Sequence, residues 1–265
     1  MGIRFIALDI DGTLLSGGHD ISRENREAIQ RAMDAGVAVT IATGRGYQAS
    51  KHIIDELNLK APVIVFGGAM VADAVTGKML SLEALSNEAI QKAFAFGEEN
   101  DVHVQLYHND IVYAKRSCAF FLRYTGFHGL KAEVDPALLE RQWENVPKIL
   151  AYEPDPLREE WIREGFANAL DGVAAVSKTE PGYIEINSPA ASKGNALQKV
   201  AELLGISREE TAALGDSYLD MSMLQWAGEG VAVEHALQPV KAIADRIVPS
   251  VFDHGVAYYI NHFVL

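Results

Sequence analysis

The sequence contains very little cysteine and no long apolar run. Cys118 is the single cysteine among 265 residues, which excludes a disulfide within the chain and is typical of a reducing compartment. We expect this thiol to be a packed side chain, with a nucleophile as the alternative. No apolar stretch reaches the roughly 18 residues of a membrane span, and the chain opens on a strand-like segment rather than a signal-type leader. We therefore expect a soluble, cytoplasmic protein.

Positive charge is also scarce. Lysine and arginine number 23 against 36 acidic residues, which gives a net charge of −13 and a pI near 5.0. An acidic chain disfavours nucleic acid and anionic membranes as partners. It also repels a phosphorylated substrate, so a site for one needs a metal ion and local cations to reverse the field. Hydrophobic residues make up 49% of the chain, which is enough for a substantial core.

The first 66 residues alternate between strand-like and helical patterns. Short apolar runs at Phe5–Leu8, 37–42 and 63–66 predict buried strands. Helical periodicity lies between them, and we expect Ser22 to be the N-cap of the first helix and Gly36 its C-cap. Strands and helices in this order, joined by short loops, predict a parallel sheet and an α/β fold.

A different pattern interrupts this alternation. From about residue 84 to 188, a helix over Asn87–Glu99, strand-like segments such as Ile111–Ala114, and polar stretches such as the proline-bearing 153–156 follow in mixed order. This order predicts an α+β module. Helices and strands alternate again from residue 189. We therefore expect an α/β domain made of residues 1–83 and 189–265, with residues 84–188 inserted as an α+β domain.

Two carboxylates end the first predicted strand. Asp9 and Asp11 are two positions apart, so their side chains point the same way on an extended chain, and Gly12 permits a sharp turn after them. Ligands of open α/β sheets bind at this end of the strands. Phosphoryl transfer needs an in-line nucleophile and a proton carrier. Asp9 suits a nucleophile that also ligates Mg²⁺, and Asp11 suits the acid and base. A turn with capping acids is the alternative.

Groups that suit a phosphate follow at two further places. Thr43, Gly44 and Arg45 end the second strand, where a hydroxyl and backbone N–H groups fit a phosphate oxygen, although many such segments are only turns. Arg45 is equally compatible with a substrate contact and a surface ion pair. Lys193 opens a predicted helix, where a cation opposes the helix dipole and calls for an anion nearby. We expect it to neutralise the nucleophile and the phosphate, and a solvated lysine is the alternative.

Carboxylates also follow a strand late in the chain. Asp216 comes just after the apolar run 211–214, and Asp220 comes four residues later. Mg²⁺ prefers oxygen ligands and keeps several waters, so a few carboxylates suffice. We expect Asp216 to be a magnesium ligand. Asp220 is compatible with a ligand, with an acceptor behind the ligands, or with an acid that complements the start of a helix.

Taken in this order, the four stretches closely resemble the four motifs of the haloacid dehalogenase superfamily, and the resemblance covers the whole chain. The length of the insertion and the phrase at 183–189 resemble the Cof-type subfamily with a C2B cap. The resemblance implies a Rossmann-like parallel-sheet core with a C2B-type α+β cap. It also implies a Mg²⁺-dependent phosphatase that acts on a small phosphorylated metabolite, such as a sugar phosphate, through an aspartyl-phosphate.

The resemblance also implies a role for each motif residue, with the backbone carbonyl of Asp11 among the metal ligands. We predict as catalytic Asp9, Asp11 and Lys193; as phosphate- or substrate-binding Gly12, Thr43, Gly44, Arg45 and Lys193; and as metal ligands Asp9, Asp11, Asp216 and Asp220.

Two positions depart from the subfamily's pattern. Leu219 stands where an asparagine usually contacts the phosphate region, and leucine donates no hydrogen bond. Losing such a donor costs about 10²-fold in rate unless another group, such as Ser217 or a water, replaces it. Gly67 stands where an asparagine usually follows the third strand, which affects a loop-fixing side chain and not the core chemistry.

The inserted domain holds the candidate substrate contacts, and no spacing singles one out. Three are histidines, for which ordinary polar or partly buried roles are commoner than a metal site. The candidates are His103, Tyr107, His108, Asn109, Arg116, Arg123, Tyr124 and His128.

Two other functions stay open. Phosphomutases of the phosphomannomutase type are similar in motif order and cap, and would return the phosphoryl group to a sugar. A phosphometabolite-binding protein with little turnover would account for Leu219. In each case we expect no nucleic-acid or membrane partner, and a monomer or homodimer.

Overall fold

The computed structural model describes residues 2–17, 20–178 and 181–265. The chain divides into two compact units. The core unit consists of Met1–Ser81 and Ser192–Leu265, and the inserted unit consists of Leu82–Ala191. Within the described ranges, no helix combines the length and the apolar character needed to cross a bilayer.

The elements are numbered along the chain. The strands are β1 (Phe5–Leu8), β2 (Ala38–Ile41), β3 (Val63–Val65), β4 (Met70–Ala72), β5 (Met79–Leu82), β6 (His103–His108), β7 (Ile111–Ala114), β8 (Lys131–Val134), β9 (Lys148–Tyr152), β10 (Ala175–Lys178), β11 (Tyr183–Asn187), β12 (Thr211–Gly215), β13 (Glu229–Val233) and β14 (Arg246–Val248). The helices are α1 (Arg23–Asp34), α2 (Tyr47–Glu56), α3 (Asn87–Glu99), α4 (Ala119–Phe127), α5 (Pro156–Ala169), α6 (Lys193–Leu204), α7 (Met221–Trp226), α8 (Gln238–Ile243) and α9 (Gly255–Tyr259).

A five-stranded parallel sheet lies at the centre of the core unit, in the order β14-β13-β12-β1-β2. Strand β1 lies between β12 and β2, and its first residue Phe5 pairs with Thr211 of β12 and Ala38 of β2. All four residues of β1 are fully buried, as expected for a parallel strand covered on both faces. Because the strands are parallel, β1, β2 and β12 end at the same edge of the sheet, and the predicted α/β fold is confirmed.

Local signals at the first helix agree with the sequence. The Ser22 hydroxyl accepts a hydrogen bond from the Asn25 N–H at 3.3 Å, which confirms the predicted N-cap. The C-cap of α1 is Ala35 rather than the predicted Gly36, which follows it with a φ of +88° that suits a glycine just past a helix end. Next to β2, a bridge between Ala42 and Ile64 leads into a smaller sheet of β3, β4 and β5.

The inserted unit contains a six-stranded sheet in the order β10-β11-β9-β6-β7-β8. Its strand pairs are antiparallel except for β7 and β8, which are parallel and connected through α4. Alternate residues of β6, β9 and β11 pack against buried residues of α3 and α5 to form its core. That core includes Ile90, Phe94, Val104, Leu106, Ile149, Ala151, Ile162, Phe166, Ile184 and Ile186.

Helix α5 differs from the expectation of a polar, proline-bearing stretch. Asp155 is its N-cap, with a side chain that accepts from the Leu157 N–H at 2.9 Å, and Pro156 is its first residue. Proline suits this position because its fixed φ is helical and its missing N–H would have no helical partner. The proline of this segment therefore starts a helix.

Candidate active site

Asp9 lies at the carboxyl edge of the parallel sheet. Its backbone N–H donates to the Leu214 carbonyl at 3.0 Å, which extends the pairing of β1 with β12 by one residue. Asp9 is only 5% exposed. A buried carboxylate needs a partner to offset its lost hydration, and the next residues supply it.

Lys193 is the partner of Asp9. It is the first residue of α6 and is buried, and its Nζ lies 2.6 Å from Asp9 Oδ1 and 2.5 Å from Asp220 Oδ1. Burial alone would lower the pKa of Lys193, but the carboxylates of Asp220 and Asp9 outweigh it and raise that pKa above its usual range. The lysine therefore stays charged and bridges two carboxylates from distant parts of the sequence.

Asp220 is fully buried, and hydrogen bonds occupy both of its oxygens. While Oδ1 contacts Lys193, Oδ2 accepts from the backbone N–H groups of Asp216 and Ser217 at 3.0 and 2.8 Å and from the Ser217 hydroxyl at 2.9 Å. Asp220 thus closes the turn after β12 and fixes the lysine. These contacts favour a positioning role over direct metal ligation. The Ser217 hydroxyl donates to Asp220 in this arrangement. It is therefore already engaged and does not replace the hydrogen-bond donor that is missing at Leu219.

Asp216 follows β12 and faces the turn after β1. Its Oδ1 accepts from the Thr13 hydroxyl at 2.8 Å. Gly12 makes this approach possible, because its φ is +88° and a Cβ there would lie 2.5 Å from Asp216 Oδ2. Thr13 is not among the predicted site residues, although it directly follows the motif Asp9-Ile10-Asp11-Gly12.

The acidic side chains form a site with the charge and chemistry for a divalent cation. Oxygens of Asp9, Asp216 and Asp220 lie within 4.8 Å of one another. These three carboxylates and the ammonium of Lys193 sum to a net charge of −2. Burial, and then the charge of Asp220, raises the pKa of both Asp9 and Asp216, and a bound cation would favour their charged forms. Oxygen donors and an excess of two negative charges fit Mg²⁺.

Asp11 and Arg45 form a two-armed ion pair at the same edge. Arg45 Nε donates to Asp11 Oδ2 at 2.9 Å, and its Nη2 donates to Asp11 Oδ1 at 2.5 Å. The Asp11 side chain is 49% exposed and that of Arg45 only 18%. The carboxylate is thus held by a shielded guanidinium while one side of it remains open to solvent.

The turn after β2 is held by its own backbone and by the next strand. Thr43 is buried, and its hydroxyl oxygen accepts from the Arg45 N–H at 3.1 Å. The Thr43 carbonyl accepts from the Gly67 N–H at 2.9 Å. Beyond it, Gly68 lies so close to α6 that a Cβ would be 2.2 Å from the Ser192 carbonyl carbon. The two glycines after β3 therefore bring this loop against the start of the lysine helix.

The structure brings the predicted motif residues to one edge of the sheet through direct contacts. Asp9 contacts Lys193, and Asp11 contacts Arg45. Thr43, Gly44 and Arg45 follow the strand adjacent to β1. Their catalytic and binding roles stay predictions.

The candidate substrate contacts of the inserted unit form hydrogen bonds and ion pairs with other residues of that unit. His103 contacts Gln105 and Cys118, and Tyr107 donates to the Tyr124 hydroxyl at 2.8 Å. Asn109 lies 2.8 Å from a ring nitrogen of His108, and Arg116 pairs with Asp101. The described residues contain one group of three side chains that could ligate a metal, the aspartates of the core unit, and no such group among the histidines of the inserted unit.

Comparisons with known proteins agree over nearly the full length. A family model described as haloacid dehalogenase-like hydrolase matches residues 6–260. Phosphatase YwpJ of Bacillus subtilis (strain 168) is 30% identical over 288 residues, covering 98% of this chain and 99% of that protein. The 5-amino-6-(5-phospho-D-ribitylamino)uracil phosphatase YcsE of the same organism is 31% identical over 263 residues, covering 99% and 96%.

A solved structure extends the similarity to the fold. The crystal structure of a haloacid dehalogenase-like hydrolase from Bacteroides thetaiotaomicron matches with a TM-score of 0.87 at 26% sequence identity, covering 98% of each chain. Sequence and fold thus match over the same extent.

Proposed function

Because the chain belongs to the haloacid dehalogenase-like hydrolase family, we propose that it is a Mg²⁺-dependent phosphatase that hydrolyses a small phosphorylated metabolite, such as a sugar phosphate, through an aspartyl-phosphate on Asp9. The observation that carries the proposal is the buried Lys193 ammonium, which bridges Asp9 and Asp220 beside Asp216. A purely structural role would not require so much buried charge at one strand end, since buried ion pairs are poor stabilisers.

In the first step, the Asp9 carboxylate attacks phosphorus while the bond from phosphorus to the ester oxygen breaks. Lys193 fixes Asp9 and offsets charge on the phosphoryl oxygens. Asp11, which must carry a proton when the substrate is bound, gives that proton to the departing alkoxide, which leaves as an alcohol. Arg45 determines where the Asp11 carboxylate lies before the substrate arrives.

In the second step, water attacks the phosphorus of the aspartyl-phosphate. Asp11, now a carboxylate, takes a proton from that water, and the bond between phosphorus and the Asp9 oxygen breaks. Inorganic phosphate leaves and Asp9 is regenerated. The hydroxyl of Thr43, the N–H of Gly44 and the backbone at Gly12 are the expected contacts of the phosphoryl oxygens.

Asp9, Asp216 and the backbone carbonyl of Asp11 would hold the Mg²⁺. When bound, the ion supplies positive charge to the phosphoryl oxygens and to the nucleophile. Thr13 and Asp220 keep Asp216 in place, through its side chain and its backbone N–H respectively. The net charge of −2 supports a divalent rather than a monovalent cation.

A phosphatase is favoured over the two alternative functions. The relatives that match over their full length are named phosphatases, and three of them are named for a 5-phospho-D-ribityl compound. This supports a phosphorylated sugar or sugar alcohol as the substrate. A silent binding protein has no need for the paired Asp9 and Lys193.

The proposal is tested by phosphate release from a panel of phosphorylated sugars, sugar alcohols and p-nitrophenyl phosphate, with Mg²⁺ or with EDTA. We expect release that requires Mg²⁺ and is lost in Asp9→Asn. Asp34→Asn is the matched control, because Asp34 is an exposed aspartate of α1. Release that persists in Asp9→Asn would contradict the proposal. Phosphoryl return to a sugar, seen only with a bisphosphate primer, would favour the mutase.

A further inference from the structure

The thiol of Cys118 has an unusual set of neighbours in the inserted unit. Cys118 is the N-cap of α4, and its Sγ accepts from the Phe121 N–H at 3.4 Å. The same sulfur lies 3.3 Å from Nδ1 of His103. The cysteine is partly exposed. It is therefore neither a packed apolar side chain nor a thiol without a base.

The hydrogen bonds of Gln105 determine which nitrogen of His103 carries the proton. The Gln105 Nε2 donates to the Tyr107 hydroxyl at 3.1 Å, so its Oε1 faces His103 Nε2, 3.0 Å away. An amide oxygen only accepts, so Nε2 carries the hydrogen. Burial, with the nearby charge of Arg116, lowers the pKa of His103, so the ring is neutral at pH 7. Its Nδ1 lone pair then points at the thiol.

Cys118, His103 and Gln105 thus form an ordered set of nucleophile, base and orienting group, which is the arrangement that activates a cysteine in enzymes. The helix N-terminus adds a second favourable element, because its N–H groups stabilise negative charge on sulfur. A small molecule can also approach, because the Cys118 side chain is partly exposed.

We propose that Cys118 is an activated thiol, with His103 as its base and Gln105 as the residue that orients the base, and that it is a modification site for hydroperoxides. His103 takes the thiol proton as sulfur attacks the peroxide. The S–O bond forms and the O–O bond breaks, sulfur is oxidised by two electrons, and the departing hydroxide takes the proton and leaves as water. The chain has no second cysteine, so a small thiol in solution would convert the sulfenic acid to a mixed disulfide and water.

The first test needs no variant. Because the chain has one cysteine, the rate of carboxamidomethylation by iodoacetamide at pH 7, followed by intact mass, reports Cys118 alone. Sulfur displaces iodide in this reaction and the thiol proton passes to His103. We expect the native protein to react at least about tenfold faster than the same protein unfolded in urea. A native rate equal to or below the unfolded rate would overturn the proposal.

The second test separates the base from the surroundings. His103→Gln should lose the acceleration, and Gln105→Leu should lose part of it, while His128→Gln keeps the wild-type rate. Hydrogen peroxide followed by dimedone should label the wild type and label His103→Gln at least about tenfold more slowly. Equal rates in wild type and folded His103→Gln would contradict the proposal. None of these readouts depends on phosphatase activity.

Discussion

At the residue scale, the contacts of Arg45 distinguish between two roles that its sequence position leaves open. Its guanidinium binds Asp11 with both arms, and its side chain is mostly shielded from solvent. A two-armed pair fixes the orientation of a carboxylate better than a single contact does. We therefore expect Arg45 to act by positioning Asp11.

Replacing Arg45 tests this role. Arg45→Gln should lower kcat/KM by about tenfold to a hundredfold, because a displaced acid no longer meets the leaving oxygen. Arg45→Lys should recover little, since lysine has no planar fork. Arg23→Gln is the matched control, because Arg23 pairs with Glu27 on the exposed surface of α1. Equal activity of Arg45→Gln and Arg23→Gln would contradict the assignment.

Gly12 provides a second test at this scale. A Cβ at Gly12 would collide with the Asp216 carboxylate, whereas Gly17 has a similar φ of +91° with nothing within 4 Å of its Cβ position. Both Gly12→Ala and Gly17→Ala should lose about 1–2 kcal/mol to backbone strain. Only Gly12→Ala should weaken Mg²⁺ binding, by about tenfold to a hundredfold. Calorimetric titration measures this, and equal affinities would contradict it.

The sequence predicts the charged residues of the site better than the residues that hydrogen-bond to them. Asp9, Asp11 and Asp216 could be found because each follows a recognisable apolar strand. Thr13 could not, because a hydrogen bond across 203 residues, from Thr13 to Asp216, has no local pattern. The pairing of Cys118 with His103 is hidden for the same reason.

At the scale of elements, the first turn of α6 delivers Lys193 to the site. The Ser192 hydroxyl caps this helix by accepting from the Asn195 N–H at 3.0 Å. Gly68 packs against the Ser192 backbone from the other side. The position of the lysine thus depends on a cap and on a close loop as well as on its own ion pairs.

A pair of cap variants tests this dependence. Ser192→Ala and Ser22→Ala each remove a hydroxyl that accepts from the backbone N–H three residues later. Each should reduce the free energy of unfolding by about 1 kcal/mol, measured in urea. Only Ser192→Ala should also lower kcat, because Lys193 is the next residue. Equal kcat in both variants would contradict a role of the cap in placing the lysine.

Elements with clear periodicity are predicted well, and others are not. The helix Asn87–Glu99 and the strand Ile111–Ala114 are confirmed at both ends. Helix α5 is missed because proline is a common loop signal, whereas Pro156 forms the first turn of this helix. Helix α4 is missed because apolar side chains occur around much of it, including exposed Leu122 and Phe127.

At the scale of the whole molecule, metal binding should increase the free energy of unfolding. Mg²⁺ that binds only the folded state should add about 2.7 kcal/mol to the free energy of unfolding at a hundred times its Kd. Thermal unfolding with Mg²⁺ and with EDTA measures this gain. Asp216→Asn should remove most of it and Asp34→Asn none. A gain that is equal in all three proteins would place the ion elsewhere.

The family, the α/β fold and the enzyme class are predicted from the motifs and are confirmed by the family model and the phosphatase relatives. Motifs carry this information because chemistry restricts residues at strand ends. The role of the insertion as a C2B-type cap, the oligomeric state and the substrate stay predictions. Contacts such as that between Tyr107 and Tyr124 form only when distant segments fold together, so spacing does not reveal them.

The most direct test of the central claim is to trap the phosphoryl group on Asp9. The protein is mixed with Mg²⁺ and a substrate from the panel, quenched in acid within milliseconds, digested, and analysed by mass spectrometry. We predict one phosphoryl group on the peptide that contains Asp9, and none in Asp9→Asn. Rapid phosphate release without any phosphorylated Asp9 peptide, or with the phosphoryl group on another residue, would contradict the account.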